Sequence, residues 1–276
     1  MRHYCGTFQK IASDWWKEIL GDRPLAAVTP ALLEQGKGLL KQRGIASSTQ
    51  KRYLRQLGTV LSAAVRWHLI EANPMREVQM PKENPGRVRF LDREEMPRFL
   101  EACRESACPG LFSAVLLALA TGMRRGEMLK LTWDRVDLER GHVILDHTTT
   151  KGKVTRGVPL TGEALEALRE HARVRRLDCA LVFPSHDGRK GFDFRHPFEL
   201  ALKQAEIRNF RWHDLRHTAA SYMVMTGASL ATVGTLLGHK TLQMTQRYSH
   251  LADDFLKAEV ERMTTRIFSQ GKSPKS

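Results

Sequence analysis

A chain of 276 residues, 42% hydrophobic and 27% charged, has the composition of a protein with a real core, and its length fits two domains or one large one. Its 44 Lys and Arg against 30 Asp and Glu leave a net charge of +14, which points to a polyanionic partner, because each neutralised phosphate releases counterions. Cys5, Cys103, Cys108 and Cys179 form no C-x-x-C pair, no apolar leader opens the chain and no apolar run reaches membrane-spanning length, so a disulfide framework, a zinc ribbon, export and membrane insertion are not expected; reduced thiols in a cytoplasmic protein are.

The N-terminal part reads as helical. In "VTPALLEQGKGLLKQRG", Thr29 is placed to cap a helix with Pro30 at its first position. "SSTQKRYLRQLGTVLSAAVRWHLI" sets Tyr53, Leu57, Val60, Leu61, Ala64, Val65 and His68 at helical spacing, with Ser47 or Ser48 as the expected cap. Lys51, Arg52 and Arg55 fall mostly off that stripe and are candidate DNA-binding residues. Residues 1–87 hold 14 Lys and Arg against 7 Asp and Glu, which makes this third of the chain more than twice as basic per residue as the rest. "HLIEANPMREVQMPKENPGRVRFLD" then breaks regularity with prolines, asparagines and a glycine, as an interdomain linker does. We place a helical domain at 1–82 and the linker at 83–91.

A second domain is expected over 92–270. Asp92 with Glu95 three residues on is a helix start signal, and the apolar run "LFSAVLLALATG" predicts a buried helix. "HVILDH", "TRGVPL" and "LVFP" are short extended pieces, enough for a small antiparallel sheet, with "TTTKGKVTRGVPL" forming a hairpin around Gly152. Helical pattern resumes from Asp193 to about Phe268, interrupted at "RNFRWH", Gly227 and Gly238, and residues 271–276 are expected to be disordered. The fold class is mainly α with a small sheet.

Several residues carry chemistry. His213 and Arg216 share a helix face at i, i+3, and His217 at i+4 raises the alternative of a metal pair. A zinc peptidase helix would want Glu directly after the first His, and Asp214 stands there instead. His217 is expected to be satisfied by backbone or a carboxylate. Arg124 follows a buried helix and needs a carboxylate or an anion, with Glu127 in reach, whereas Arg125 reads as a surface residue. Lys151 and Lys153 sit on the hairpin, and Tyr248 lies nine residues after His239. Arginines can clamp nonbridging phosphate oxygens, lysine or histidine can protonate a leaving oxygen, and tyrosine can form a covalent phospho-intermediate. No carboxylate cluster suits a two-metal nuclease.

"ATGMRRGE", "TKGKVTRGVPL", "HDLRHTAAS" and "LGHKTLQMTQRYSHL", in this order and spacing, resemble the tyrosine recombinases of the phage-integrase type, from about Leu25 to the C-terminal helix. The resemblance implies an N-terminal core-type DNA-binding domain and a C-terminal catalytic domain. It makes Arg124, Lys151, His213, Arg216, His239 and Tyr248 catalytic and Glu127 supporting. It also implies cleavage and rejoining of double-stranded DNA at core-type sites through a 3′-phosphotyrosine, with no metal or other cofactor. A homotetramer on synapsed DNA, accessory DNA-bending proteins and a nucleoid-associated location follow from it. "RHYCGTFQKIASDWWKEILGDRPL" resembles the first helix of the core-binding domain, so the chain is read as a short integrase or as truncated at its start. A type IB topoisomerase-like relaxing enzyme and a non-catalytic DNA-binding relative are the rival readings.

The spacing of His239 and Tyr248 sets one geometric requirement. Nine residues of unbroken helix would place them about 180° apart and roughly 13 Å along the axis. They could not then serve one phosphate, as the resemblance implies they do, so the chain is expected to turn near Gly238–Thr241 and start a fresh helix, with Gly238 closing the first.

Overall fold

The computed structural model describes residues 2–82, 89–145 and 155–269. The chain divides into two units, Met1–Arg87 and Val88–Ser276.

In the first unit, α1 (Arg2–Leu20), α2 (Pro30–Gln42) and α3 (Ser47–Arg66) surround one core. The Thr29 side chain accepts the Leu32 N–H, with Pro30 in the first turn as expected. The expected serine cap of α3 is corrected: the helix begins at Ser47, and Ala46 caps it without a side-chain bond. Its carbonyl accepts from the Thr49 and Gln50 N–H groups, which closes the first turn without a serine hydroxyl. Tyr53, Leu54, Leu57, Leu61 and Ala64 form the buried stripe, but Val60 is 55% exposed and His68 lies beyond the helix end at φ 57°. Trp16 Nε1 donates to the Tyr53 carbonyl at 3.0 Å. Gly36 lets the same indole approach α2, since a Cβ there would stand 2.6 Å from the ring.

Much of the irregular stretch after α3 belongs to this unit. Asn73 Oδ1 accepts the Met75 N–H and starts a 3-10 turn, Pro74–Glu77, and Met75 and Val78 are buried. Of the expected linker, residues 83–88 lie outside the described residues. Residues 89–91 belong to the second unit, where Arg89 pairs with Glu95 and the buried Leu91 donates its N–H to Thr218 Oγ1.

The second unit is mainly helical with one small sheet. Its helices are α4 (Glu95–Arg104), α5 (Leu111–Thr121), the single turn α6 (Arg125–Met128), α7 (Gly162–Arg173), α8 (Arg195–Gln204), α9 (Trp212–Met225), α10 (Leu230–Leu237) and α11 (Asp253–Ser269). Asp92 Oδ1 accepts the Glu94 and Glu95 N–H groups, and Glu95 Oε2 returns a bond to the Asp92 N–H. The apolar run forms α5, buried along most of its length and packed against α4, α7 and α9.

Strands β1 (Val136–Asp137), β2 (His142–Leu145) and β3 (Arg156–Pro159) pair antiparallel in that order, with Leu145 opposite Arg156. The hairpin tip with Gly152 lies outside the described residues. The expected "LVFP" strand is corrected: Leu181 and Pro184 make only isolated bridges, and Val136–Asp137 is the third strand. The backbone groups of that segment go to loops instead, Val182 N–H to the Leu131 carbonyl and the Phe183 carbonyl to Phe192 N–H. The C-terminal tail expected over 271–276 also lies outside the described residues.

Candidate active site

Arg124 sits just after the glycine that ends α5 and caps α6. Its backbone N–H donates to Glu127 Oε2 at 2.9 Å and its Nη1 to Glu127 Oε1 at 3.0 Å. From β3, Arg156 Nη2 reaches Glu127 Oε2 at 3.0 Å, so one carboxylate holds two guanidinium groups. The Arg156 and Glu127 side chains are only 6% and 9% exposed. Burial alone would raise the Glu127 carboxyl, but hydrogen bonds from Arg156 and the Arg124 N–H, with both positive charges, hold it below the usual range. Arg125 pairs with Asp193 at the surface, as its sequence position suggests.

Arg216 projects from α9 into the ends of two other helices. Its Nη1 donates to the Gly122 carbonyl at 2.6 Å and its Nη2 to the Leu237 carbonyl at 2.7 Å. Gly122 follows α5 and Leu237 ends α10, so the cation meets unpaired carbonyls where helix dipoles are negative. Gly122 adopts φ 57°, and a Cβ there would fall 2.5 Å from Leu237 Cδ2, so glycine is required on both counts. Burial and the charges of Arg124 and Arg156 push Arg216 down to about 10, which leaves it protonated at neutral pH.

The turn required between His239 and Tyr248 is present. His239 N–H donates to the Gly234 carbonyl and Gly238 N–H to the Thr235 carbonyl, a Schellman closure with Gly238 at φ 63°. The chain extends through Thr241, then forms two 3-10 segments, Leu242–Met244 and Gln246–Ala252, the second holding Tyr248. The fresh helix is thus of the tighter 3-10 type. His239 Nδ1 bonds Thr245 Oγ1 at 2.8 Å, which fixes the ring.

Tyr248 is 1% exposed and packs with Ala220, Val224, Val233 and Leu237. Its hydroxyl lies 2.6 Å from His217 Nδ1. The expectation of a backbone or carboxylate partner for His217 is therefore corrected: its partner is the phenol. His213, exposed on α9, meets the His217 ring edge-on at 5.0 Å between centroids. Burial pushes His217 and His239 down to about 4, helped at His217 by His213, Arg247 and Arg216, and at His239 by Arg216, Arg124 and Arg247. Burial and Arg216 also lower His213, and burial raises Tyr248 against the pull of Arg247 and Arg216.

Arg124, Arg216, His213, His239 and Tyr248 are therefore close enough to act on one another's charge. Three basic side chains around one carboxylate, with neutral imidazoles beside them, suit a phosphate and its developing negative charge. Lys151 lies outside the described residues. Lys51, Arg52 and Arg55 are on α3 in the other unit, where Arg52 stacks over Phe8 at 3.8 Å and Arg55 is exposed. Among the described residues no group of three or more His, Cys, Asp or Glu side chains converges to hold a metal ion, and no helix is long and apolar enough to cross a membrane.

Sequence reasoning gave no role in the site to Thr245 or Arg247 and no partner to Arg156. Thr245 and Arg247 flank the nucleophile position with no signal of their own, whereas a lone basic residue opening a strand, Arg156, could have been matched to Glu127.

The phage integrase family model matches residues 89–254. The integrase of Salmonella phage P22 is 31% identical over 83% of this chain and 60% of its own length. XerC of Bacillus subtilis is 31% identical over 78% of this chain and 74% of its own. The chain thus spans about 60% of the phage P22 integrase. Among solved structures, a Tn1549 transposon integrase in complex with transposon right end DNA superposes with a TM-score of 0.78 over 96% of this chain and 95% of that one, at 19% identity. A lambda integrase dimer bound to a core site gives 0.70 over 90% and 95%, at 20% identity. Both show the shared fold.

Proposed function

This chain belongs to the phage integrase family, and we propose on that premise that it is a site-specific DNA recombinase acting through a covalent 3′-phosphotyrosine on Tyr248. The observation that carries this reading is the placement of the Tyr248 hydroxyl: buried and hydrogen-bonded to His217, beside the charges of Arg216 and Arg247. Arg124 and Arg216 would hold the nonbridging oxygens of the scissile phosphate, their guanidinium groups fixed by Glu127 and by two helix ends. His213 and His239 would donate hydrogen bonds to the same phosphate. Lys151 on the hairpin would protonate the leaving 5′-oxygen.

Double-stranded DNA with core-type sites is the proposed substrate, in keeping with the net charge of +14 and with the DNA bound in the structures of similar fold. Assembly of several copies on DNA is supported by α11, where Leu256, Val260, Met263 and Ile267 stand exposed at helical spacing. A nicked suicide duplex from the DNA flanking the gene tests the chemistry. The wild-type chain should accumulate a denaturant-resistant adduct, while Tyr248→Phe should bind equally and form none. Adduct on Tyr248→Phe would sink the nucleophile assignment.

A further inference from the structure

A phenol attacks phosphorus well only as its proton leaves, and the His217 imidazole is in direct contact with this one. Nδ1 stands 2.6 Å from Oη, with the two ring centroids 5.8 Å apart. Tyr248 is 1% and His217 7% exposed, so bulk water has poor access to the phenol proton. With the phenol as donor, Nδ1 holds the lone pair and Nε2 the hydrogen, the neutral tautomer that can take a proton.

We infer that His217 is the proton acceptor for Tyr248 in strand cleavage and returns that proton in strand rejoining. This assignment rests on the reading of Tyr248 as the nucleophile. In cleavage, the bond from Oη to phosphorus forms as the bond from phosphorus to the 5′-oxygen breaks. The phenol proton passes to Nδ1, giving an imidazolium, and the leaving oxygen keeps its electron pair and takes a proton from a separate acid. In rejoining, the 5′-hydroxyl gives its proton back to that same separate group, now deprotonated, and attacks phosphorus; the phosphotyrosyl bond breaks, and the imidazolium reprotonates the departing phenolate.

The groups facing His217 explain how its basicity follows the substrate. His213 and Arg216 face it from α9, Arg247 and Tyr248 from the 3-10 segment, and His239 from the end of α10. Burial, with the positive charge of Arg247 and Arg216, keeps the ring neutral before DNA arrives. A phosphodiester seated among the same cations offsets that charge, so the imidazole becomes a stronger base when the substrate is in place. His217 thus holds the phenol at rest and accepts its proton in the reaction.

His217→Asn places an acceptor near the position of Nδ1 but cannot take a proton. Its single-turnover rate of adduct formation on the suicide duplex, at saturating protein, should fall by about 100-fold or more. Duplex affinity should not change. The wild-type rate should rise and level off with pH, whereas the variant's should keep rising as solvent hydroxide substitutes. A duplex with sulfur at the 5′-bridging position needs no acid for its leaving group, so it should not restore the variant. Replacing the tyrosines with 3-fluorotyrosine should narrow the deficit, because a more acidic phenol needs less help. An adduct rate within about threefold of wild type, or full rescue by the sulfur duplex, would overturn the assignment.

Should His217→Asn fail to fold, the wild-type chain decides. A solvent deuterium effect on adduct formation should persist with the sulfur duplex, and its disappearance would overturn the proposal. A wild-type chain that forms no adduct at all, or a Tyr248→Phe chain that does, would remove the underlying reading and this assignment with it.

Discussion

Glu127→Gln tests the frame that holds the arginines. The carboxylate accepts from the Arg124 backbone, from Arg124 Nη1 and from Arg156 Nη2, all within 3.0 Å, and both it and Arg156 are nearly buried. The amide keeps an acceptor oxygen but loses the charge, and its NH2 must face a guanidinium. Breaking a buried ion pair by removing one partner costs about 3–5 kcal/mol, because the remaining charge is stranded. Since one oxygen still accepts, we expect a loss near the lower end, about 3 kcal/mol, read as a shift of the urea midpoint by the fluorescence of Trp133 and Trp212. Arg156→Met should cost a similar amount, and the double variant should be less destabilised than the sum, because no charge is then left buried. The sign with pH also follows. Glu127 is held below its ordinary value near 4.5, so its contribution is present above that pH and lost as pH falls through the lowered value; the variant should lack this acid limb. A Glu127→Gln chain within about 1 kcal/mol of wild type, with strictly additive double-variant energetics, would show that the carboxylate does not organise the site.

Three further outcomes are expected. Arg216→Lys offers one ammonium where a planar fork spans the Gly122 and Leu237 carbonyls, so adduct formation should drop by about 10²–10³; full activity would argue against the fork. His217, held at about 4 against an ordinary value of 6.5, favours the neutral ring, so its stabilisation is present above pH 6.5 and lost as pH falls through 4. By the urea midpoint at about pH 4.5, His217 should contribute up to about 3 kcal/mol of lost stability relative to neutral pH; His217→Asn should lose that share of the acid change and keep the share of His239, which is held equally low. Gly238→Ala must place a Cβ at φ 63° and should cost about 1 kcal/mol by thermal melt, with a slower adduct rate because the Schellman closure sets His239; an unchanged melt would show that the turn tolerates other residues.

Local signals were the legible ones. Thr29 with Pro30, Asp92 with Glu95, and the apolar run of α5 act within a few residues, and the structure follows them. The turn at Gly238 follows from the nine-residue interval once the resemblance assigns His239 and Tyr248 to one phosphate. What sequence order hides is contact between distant segments. Arg216 meets Gly122 across 94 residues, and His217 meets Tyr248 across 31. At i+4 from His213, His217 invited a metal or structural reading because only its helix neighbours were visible. The "LVFP" piece misled for a similar reason: its β-forming side chains are buried, yet its backbone groups are spent on loops. Val60 fits the helical period, yet more than half of it is exposed.

Leu237 joins the two halves of the site. Its side chain is fully buried against Tyr248's packing cluster, and its carbonyl accepts from Arg216. The missing Cβ of Gly122 gives its Cδ2 room, while the Gly122 carbonyl accepts the other arm of the same guanidinium. The position of α10 against α5 and α9 therefore sets Arg216 and Tyr248 together. The proposed nucleophile is also a core residue here, and leaving the core would forfeit both its packing and its bond to His217. The 3-10 segment that carries Tyr248 runs directly into α11, whose apolar stripe is exposed.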